Sequence, residues 1–167
     1  MIETQEILKK AQSYKTEMVR FLREIIAIPS ESSQEGRVIQ HIKQEMLRVG
    51  FDDVQIDPMG NIIGRIGSGN TILAIDAHVD TVGIGNPDQW KHDPYEGEFE
   101  NDIIYGRGAA DQEGAIPAMV YGAKVIKDLN LEGDYTLYIV GSVQEADCDG
   151  LCWQYILDED KIRPEAV

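Results

Sequence analysis

The sequence predicts an α/β domain whose sheet mixes parallel and antiparallel strands. Apolar runs of strand length alternate with segments of helical periodicity, the pattern of helices packed on a sheet. Three of these runs close on polar or acidic residues, and in such folds sites gather at the carboxyl ends of strands. A chain of 167 residues, 43% of them hydrophobic, has the size and core of one globular unit.

The elements follow in chain order. Ile7, Leu8, Ala11, Tyr14, Met18, Phe21, Leu22, Ile25 and Ile26 recur at helical spacing, and Pro29 stops them. One amphipathic helix is therefore expected over roughly the first 27 residues. Ser30, Ser32 or Ser33 can cap a second helix carrying Val38, Ile39, Ile42, Met46 and Leu47, with Gly50 as its left-handed terminator. "DVQID" and "NIIGRIG" flank a Pro-Met-Gly-Asn turn and read as a hairpin. "TILAIDAH" lacks strict alternation and reads as a central strand buried on both faces. A polar stretch runs to about Glu100 and leads to "DIIYGRG" and a helix from about Glu113 to Leu129. "DYTLYIVGSV" is a further strand, "GLCWQYILDED" a further helix, and "KIRPEAV" a loop leading toward another strand.

Composition narrows the function. Thirty acidic against fifteen basic residues give a net charge of −15, which repels phosphate backbones and anionic membranes. Neither nucleic acid nor membrane is an expected partner. The amino-terminal residues carry acidic groups and lack a signal-like apolar core, so the expected location is cytoplasmic. Cys148 and Cys152 lie four apart, where a helix would set them on one face, and reduced thiols suit that compartment. A zinc clip needs further soft ligands, which the neighbouring sequence lacks.

Chemistry concentrates at three strand ends. In "AHVD", His78 and Asp80 are two apart, so on an extended backbone they share a side. That spacing suits a metal-bound imidazole oriented by a carboxylate, and equally a hydrogen-bonded pair in a loop. In "IYGRGAADQEGA", Asp111 follows a glycine-rich loop and precedes a helix; it reads as a helix cap, a metal ligand or both. In "YIVGSVQEADCDG", Glu145, Asp147 and Asp149 read as a solvated acidic turn or as the source of a general base. Brought together at one sheet edge, the three ends would form an oxygen-rich site with one imidazole, suited to zinc, manganese or cobalt.

"AIDAHVDTV", "YGRGAADQEGA" and "VQEADCDG", in this order, resemble the zinc-dependent amidohydrolases and peptidases typified by acetylornithine deacetylase, succinyl-diaminopimelate desuccinylase, aminoacylase and carboxypeptidase G. "VQEADCDGLCWQYI" is most similar to the branch called selenium-metabolism hydrolases. The resemblance implies a three-layer αβα catalytic domain with a mixed sheet, of which residues 1–167 are the amino-terminal portion, without the lid and dimerisation domain. It implies that His78 binds a metal, that Asp80 orients it, and that Asp111 bridges two zinc ions beside a cis peptide to Gln112. Glu145 would be the general base. The substrate would be a small-molecule amide or peptide, and complete members would be homodimers.

Two departures stand out. Family members usually follow the base with a second glutamate that ligates zinc; here that position is Ala146. Their later carboxylate and histidine ligands have no counterpart in these residues, since His41 and His92 fall elsewhere and read as surface groups. Little turnover is therefore expected of this chain. A non-catalytic binding module of the same fold is one alternative, and a plain α/β scaffold with solvated strand ends is another.

Overall fold

The computed structural model describes residues 2–131 and 133–167. The long helical period at the amino terminus yields two helices, α1 (Thr4–Ser13) and α2 (Lys15–Ile26), where one was expected. The Ser13 hydroxyl donates to the Lys10 carbonyl at 2.6 Å and competes with the helical ladder there. Tyr14 then leaves helical geometry (φ −96°, ψ 4°), sinks its ring into the core and donates its hydroxyl to Asp128. Both halves keep the same apolar face, so periodicity alone conceals the break.

The next helix, α3 (Gly36–Val49), has no side-chain cap, contrary to the serine expectation. Ser30 and Ser32 are instead drawn to the buried carboxylates of Glu113 and Asp80, which need donors more than a helix end open to water does. Gly50 terminates α3 as expected, at φ 93°.

Strands β1 (Asp53–Ile56) and β2 (Ile62–Gly67) form the expected antiparallel hairpin. They are followed by β3 (Thr71–His78), a small ribbon of β4 (Glu98–Glu100) and β5 (Ile103–Tyr105), α4 (Ala115–Asp128), β6 (Tyr135–Ser142), α5 (Glu145–Cys148) and α6 (Leu151–Asp158). The main sheet has the order β1-β2-β6-β3, with β6 antiparallel to β2 and parallel to β3. Alternation along β6 sorts the two faces: Leu137 and Ile139 meet the helix layer of α2, α3 and α4, whereas Val140 joins Ile63, Ile156 and Ile162 beneath α6. The result is the αβα sandwich.

The central, most deeply buried strand is β6, not β3 as expected. β3 borders β6 on one side and only a short bridge on the other, and Ile75 is 46% exposed. A continuous apolar run fixes a strand but not its rank in the sheet. At its outer edge the Glu165 amide donates to the Ile72 carbonyl (2.8 Å) and the Ala74 amide to Ala166 (3.0 Å), so "KIRPEAV" already pairs with β3. Among the described residues, no helix is long and apolar enough to cross a membrane.

Candidate metal centre

Parallel pairing puts the carboxyl ends of β3 and β6 side by side, with His78 in register with Ser142. From Ser142 the chain turns through Gln144, at φ 58°, and presents Glu145 at the start of α5. The loop between β5 and α4 brings Asp111 to the same edge. His78 Nε2 lies 3.0 Å from Asp111 Oδ1 and 3.9 Å from Glu145 Oε2. Two carboxylates far apart in sequence, Asp111 and Glu145, are thus gathered around one imidazole.

The ring is oriented by the main chain. His78 Nδ1 lies 2.9 Å from the Asp80 carbonyl oxygen, an acceptor only, so Nδ1 carries the proton. In the neutral ring Nε2 then presents a lone pair to the Asp111 carboxylate, itself an acceptor. Two acceptors at 3.0 Å require a positive charge between or beside them, supplied by a proton or by a cation. The donor set, one imidazole and carboxylate oxygens, fits a divalent transition metal. The site is an open half-shell: the Asp111 side chain is 90% exposed and that of Glu145 49%. Among the described residues, no three His, Cys, Asp or Glu side chains close tightly enough to hold an ion unaided.

Asp80 does more than flank the histidine. Its carboxylate is fully buried, lies 3.6 Å from Nδ1, and accepts from the Ser32 hydroxyl (2.6 Å) and the amides of Glu145 and Ala146 (3.0 Å each). Glu35, also buried, accepts from the Gln144 amide at 3.0 Å. Two buried carboxylates therefore hold three successive amides and fix the backbone on which Glu145 stands. Neither role is visible in the spacing of His78 and Asp80 alone.

Asp111 is not the helix cap: Gly114 occupies that position, without a side-chain cap. The Asp111–Gln112 peptide is cis, as the resemblance implies. Ala146, next to Glu145, has a methyl side chain with no donor atom. Glu113, overlooked in the sequence, is 1% exposed, and burial pushes its carboxyl up to about 8 although a hydrogen bond from Ser30 opposes this. The glycine-framed "ADQEGA" marked the loop, but nothing in it marked a buried carboxyl.

The remaining candidates lie elsewhere. His41 is half-buried, not a surface group, and pairs with Glu24 at 3.1 Å. His92 is half-buried too, stacked on Tyr105 and 2.7 Å from Glu98. Cys148 and Cys152 do not share a helix face, because Asp149 and Gly150, both at positive φ, separate α5 from α6. Both thiols are free, one exposed and one buried.

Comparison with known proteins gives this edge a context. Escherichia coli YgeY is 59% identical over 161 residues, covering 96% of this chain and 40% of YgeY. A probable succinyl-diaminopimelate desuccinylase of Staphylococcus epidermidis is 29% identical over 130 residues, covering 76% of this chain and 32% of that protein. The M20 family metallo-carboxypeptidase Sso-CP2 from Sulfolobus solfataricus shares the fold, with a TM-score of 0.79 at 21% identity over 90% of this chain and 36% of its own. The chain thus spans about 40% or less of the length of the relatives it matches. The profile of peptidase family M20/M25/M40 matches residues 74–166, more than half the chain and the whole of the edge described above. This chain belongs to peptidase family M20/M25/M40.

Proposed function

We propose that residues 1–167 are the amino-terminal portion of the catalytic domain of a metal-dependent hydrolase that cleaves the amide or peptide bond of an N-acylated amino acid or small peptide. The observation that carries this reading is the convergence of Asp111 Oδ1 (3.0 Å) and Glu145 Oε2 (3.9 Å) on His78 Nε2. His78 and Asp111 would hold the metal, with zinc favoured and cobalt or manganese also suited to these donors. A bound divalent cation supplies Lewis acidity toward the amide carbonyl and acidifies water. Glu145, half-exposed beside His78, takes a proton from the attacking water and returns it to the leaving nitrogen. Asp80 and Glu35 hold the backbone that carries Glu145, so the base keeps a fixed position as its proton moves.

Titrating the 167-residue chain with Co²⁺, by calorimetry and visible absorption, tests the ligand assignment. Binding is expected to be weak, and His78→Ala and Asp111→Ala should each abolish it. Unchanged binding in both variants ends this reading.

A non-catalytic module of the same fold is a second reading, favoured by one observation. The Ala146 amide is held by Asp80 Oδ2 at 3.0 Å, and its side chain has no donor atom. Ala146→Glu is expected to tighten Co²⁺ binding about tenfold or more by adding a carboxylate ligand. If affinity does not change, position 146 does not face the metal and Ala146 carries no information about lost chemistry.

A further inference from the structure

We propose that Glu113 is a positioning residue of the metal centre: its buried carboxyl, wedged beneath Gly108 and bonded to Ser30, fixes the Asp111 loop against the strand end that carries His78 and Asp80. The inference rests on the reading of His78 and Asp111 as metal ligands.

Three separate segments meet at this carboxyl. Its Oε1 accepts from the Ser30 hydroxyl at 3.1 Å. The Ser30 carbonyl in turn accepts from the amide of Thr81, the residue after Asp80, at 2.9 Å. Two residues on, Ser32 donates to the Asp80 carboxylate at 2.6 Å. The stretch from Ser30 to Ser32 is therefore a strap with one end on each ligand-bearing segment. The third segment is the glycine loop itself. Gly108, at φ 81°, lies so close that a Cβ there would collide with Glu113 Oε2 and press on the Thr81 methyl. Only a glycine lets the loop close over the carboxyl, and Asp111 lies between these two contact points in sequence.

The second oxygen makes the case for a role beyond packing. Glu113 Oε2 is buried and has no hydrogen-bond partner among the described residues. Such an atom lowers stability, and an apolar side chain of similar size would remove that cost. A group that weakens the fold is expected where it supports a site. Stability and metal affinity should then respond to its removal in opposite directions, whereas a merely structural carboxyl would move them together or leave metal affinity alone.

The test uses the 167-residue chain with Glu113→Leu, Glu113→Gln and Ser30→Ala, reading the Co²⁺ dissociation constant and the urea midpoint of each. Glu113→Leu is expected to keep or raise the urea midpoint while weakening Co²⁺ binding about tenfold or more, the usual size of an outer-shell loss. Glu113→Gln keeps an oxygen for Ser30 and is expected to bind within about threefold of the parent. Parent-like Co²⁺ binding by Glu113→Leu overturns the inference, and so does a joint loss of stability and affinity that Glu113→Gln fails to restore. If Glu113→Leu does not fold, Ser30→Ala, which removes the other end of the same hydrogen bond, decides by the same criterion. His78→Ala separates the two levels. If it leaves Co²⁺ binding intact, the ligand reading itself has failed; if it abolishes binding while the Glu113 and Ser30 variants bind normally, only the positioning role is lost.

Discussion

Replacing Asp80 by asparagine should unfold the site from its backbone outward. In the native chain the carboxylate accepts three hydrogen bonds, from the Ser32 hydroxyl and from the amides of Glu145 and Ala146. A side-chain amide of the same shape has one acceptor oxygen, so one backbone N–H must face an NH₂ donor whichever way the group is flipped. Losing that bond and setting its amide against a donor beside the buried Asp80 position costs about 1–3 kcal/mol, and removing the charge weakens the two that remain, by about 1 kcal/mol each. The sum is about 3–5 kcal/mol, a large part of the stability of an ordinary domain. Urea denaturation of Asp80→Asn beside two controls reads it out. Ser32→Ala deletes one of the three bonds and should lose about 1 kcal/mol, and Asp111→Asn, on an exposed side chain, should lose almost nothing. An Asp80→Asn variant within about 1 kcal/mol of the parent would refute the view that this carboxylate organises the turn.

Two further outcomes follow from the same reasoning. Glu45 is buried, and although burial alone would raise its carboxyl, hydrogen bonds from Arg48 and Tyr121 and the charge of Arg20 hold it at about 2 against an ordinary 4.5. A depressed carboxyl adds stability above its unfolded value and loses it as pH falls, so about 3 kcal/mol should disappear between about pH 4.5 and 2. Glu45→Gln should flatten that part of the urea-midpoint profile against pH, and an unaltered acid limb would contradict the assignment. Gly141, on β6 beside the site, has no room for a side chain: a Cβ there would come within 2.6 Å of Ile62 Cγ2 and 3.2 Å of Val79 Cγ1. Gly141→Ala should cost about 1–3 kcal/mol by overpacking, and thermal melting at parent-like temperature would show that the two strands yield freely.

The residues that were legible in the sequence are those whose position follows from local pattern. His78 and Glu145 each sit where an apolar run stops, and such stops are strand ends in either topology. Asp111 was marked by its glycines. What remained hidden depends on partners distant in the chain. Nothing local to Ser30 or Ser32 distinguishes a helix cap from a donor to a carboxylate that lies 48 or 83 positions away. Tyr14 breaks its helix for the sake of a contact with Asp128, 114 positions on. The rank of β3 in the sheet, the grip of Asp80 on the next strand's turn, and the burial of Glu113 are likewise properties of the assembled sheet.

The parallel union of β3 with β6 has a consequence for how the molecule comes into being. Strands running the same way cannot be joined by a tight turn, and here the connection from His78 to Tyr135 passes through the ribbon, the glycine loop and α4. Contacts of such long range form late, after hairpins such as β1–β2 and the individual helices. Histidine and glutamate become neighbours only when this crossover has closed. The ion site proposed above is therefore expected to assemble only with that closure, and the hairpin and helices alone do not bring its residues together.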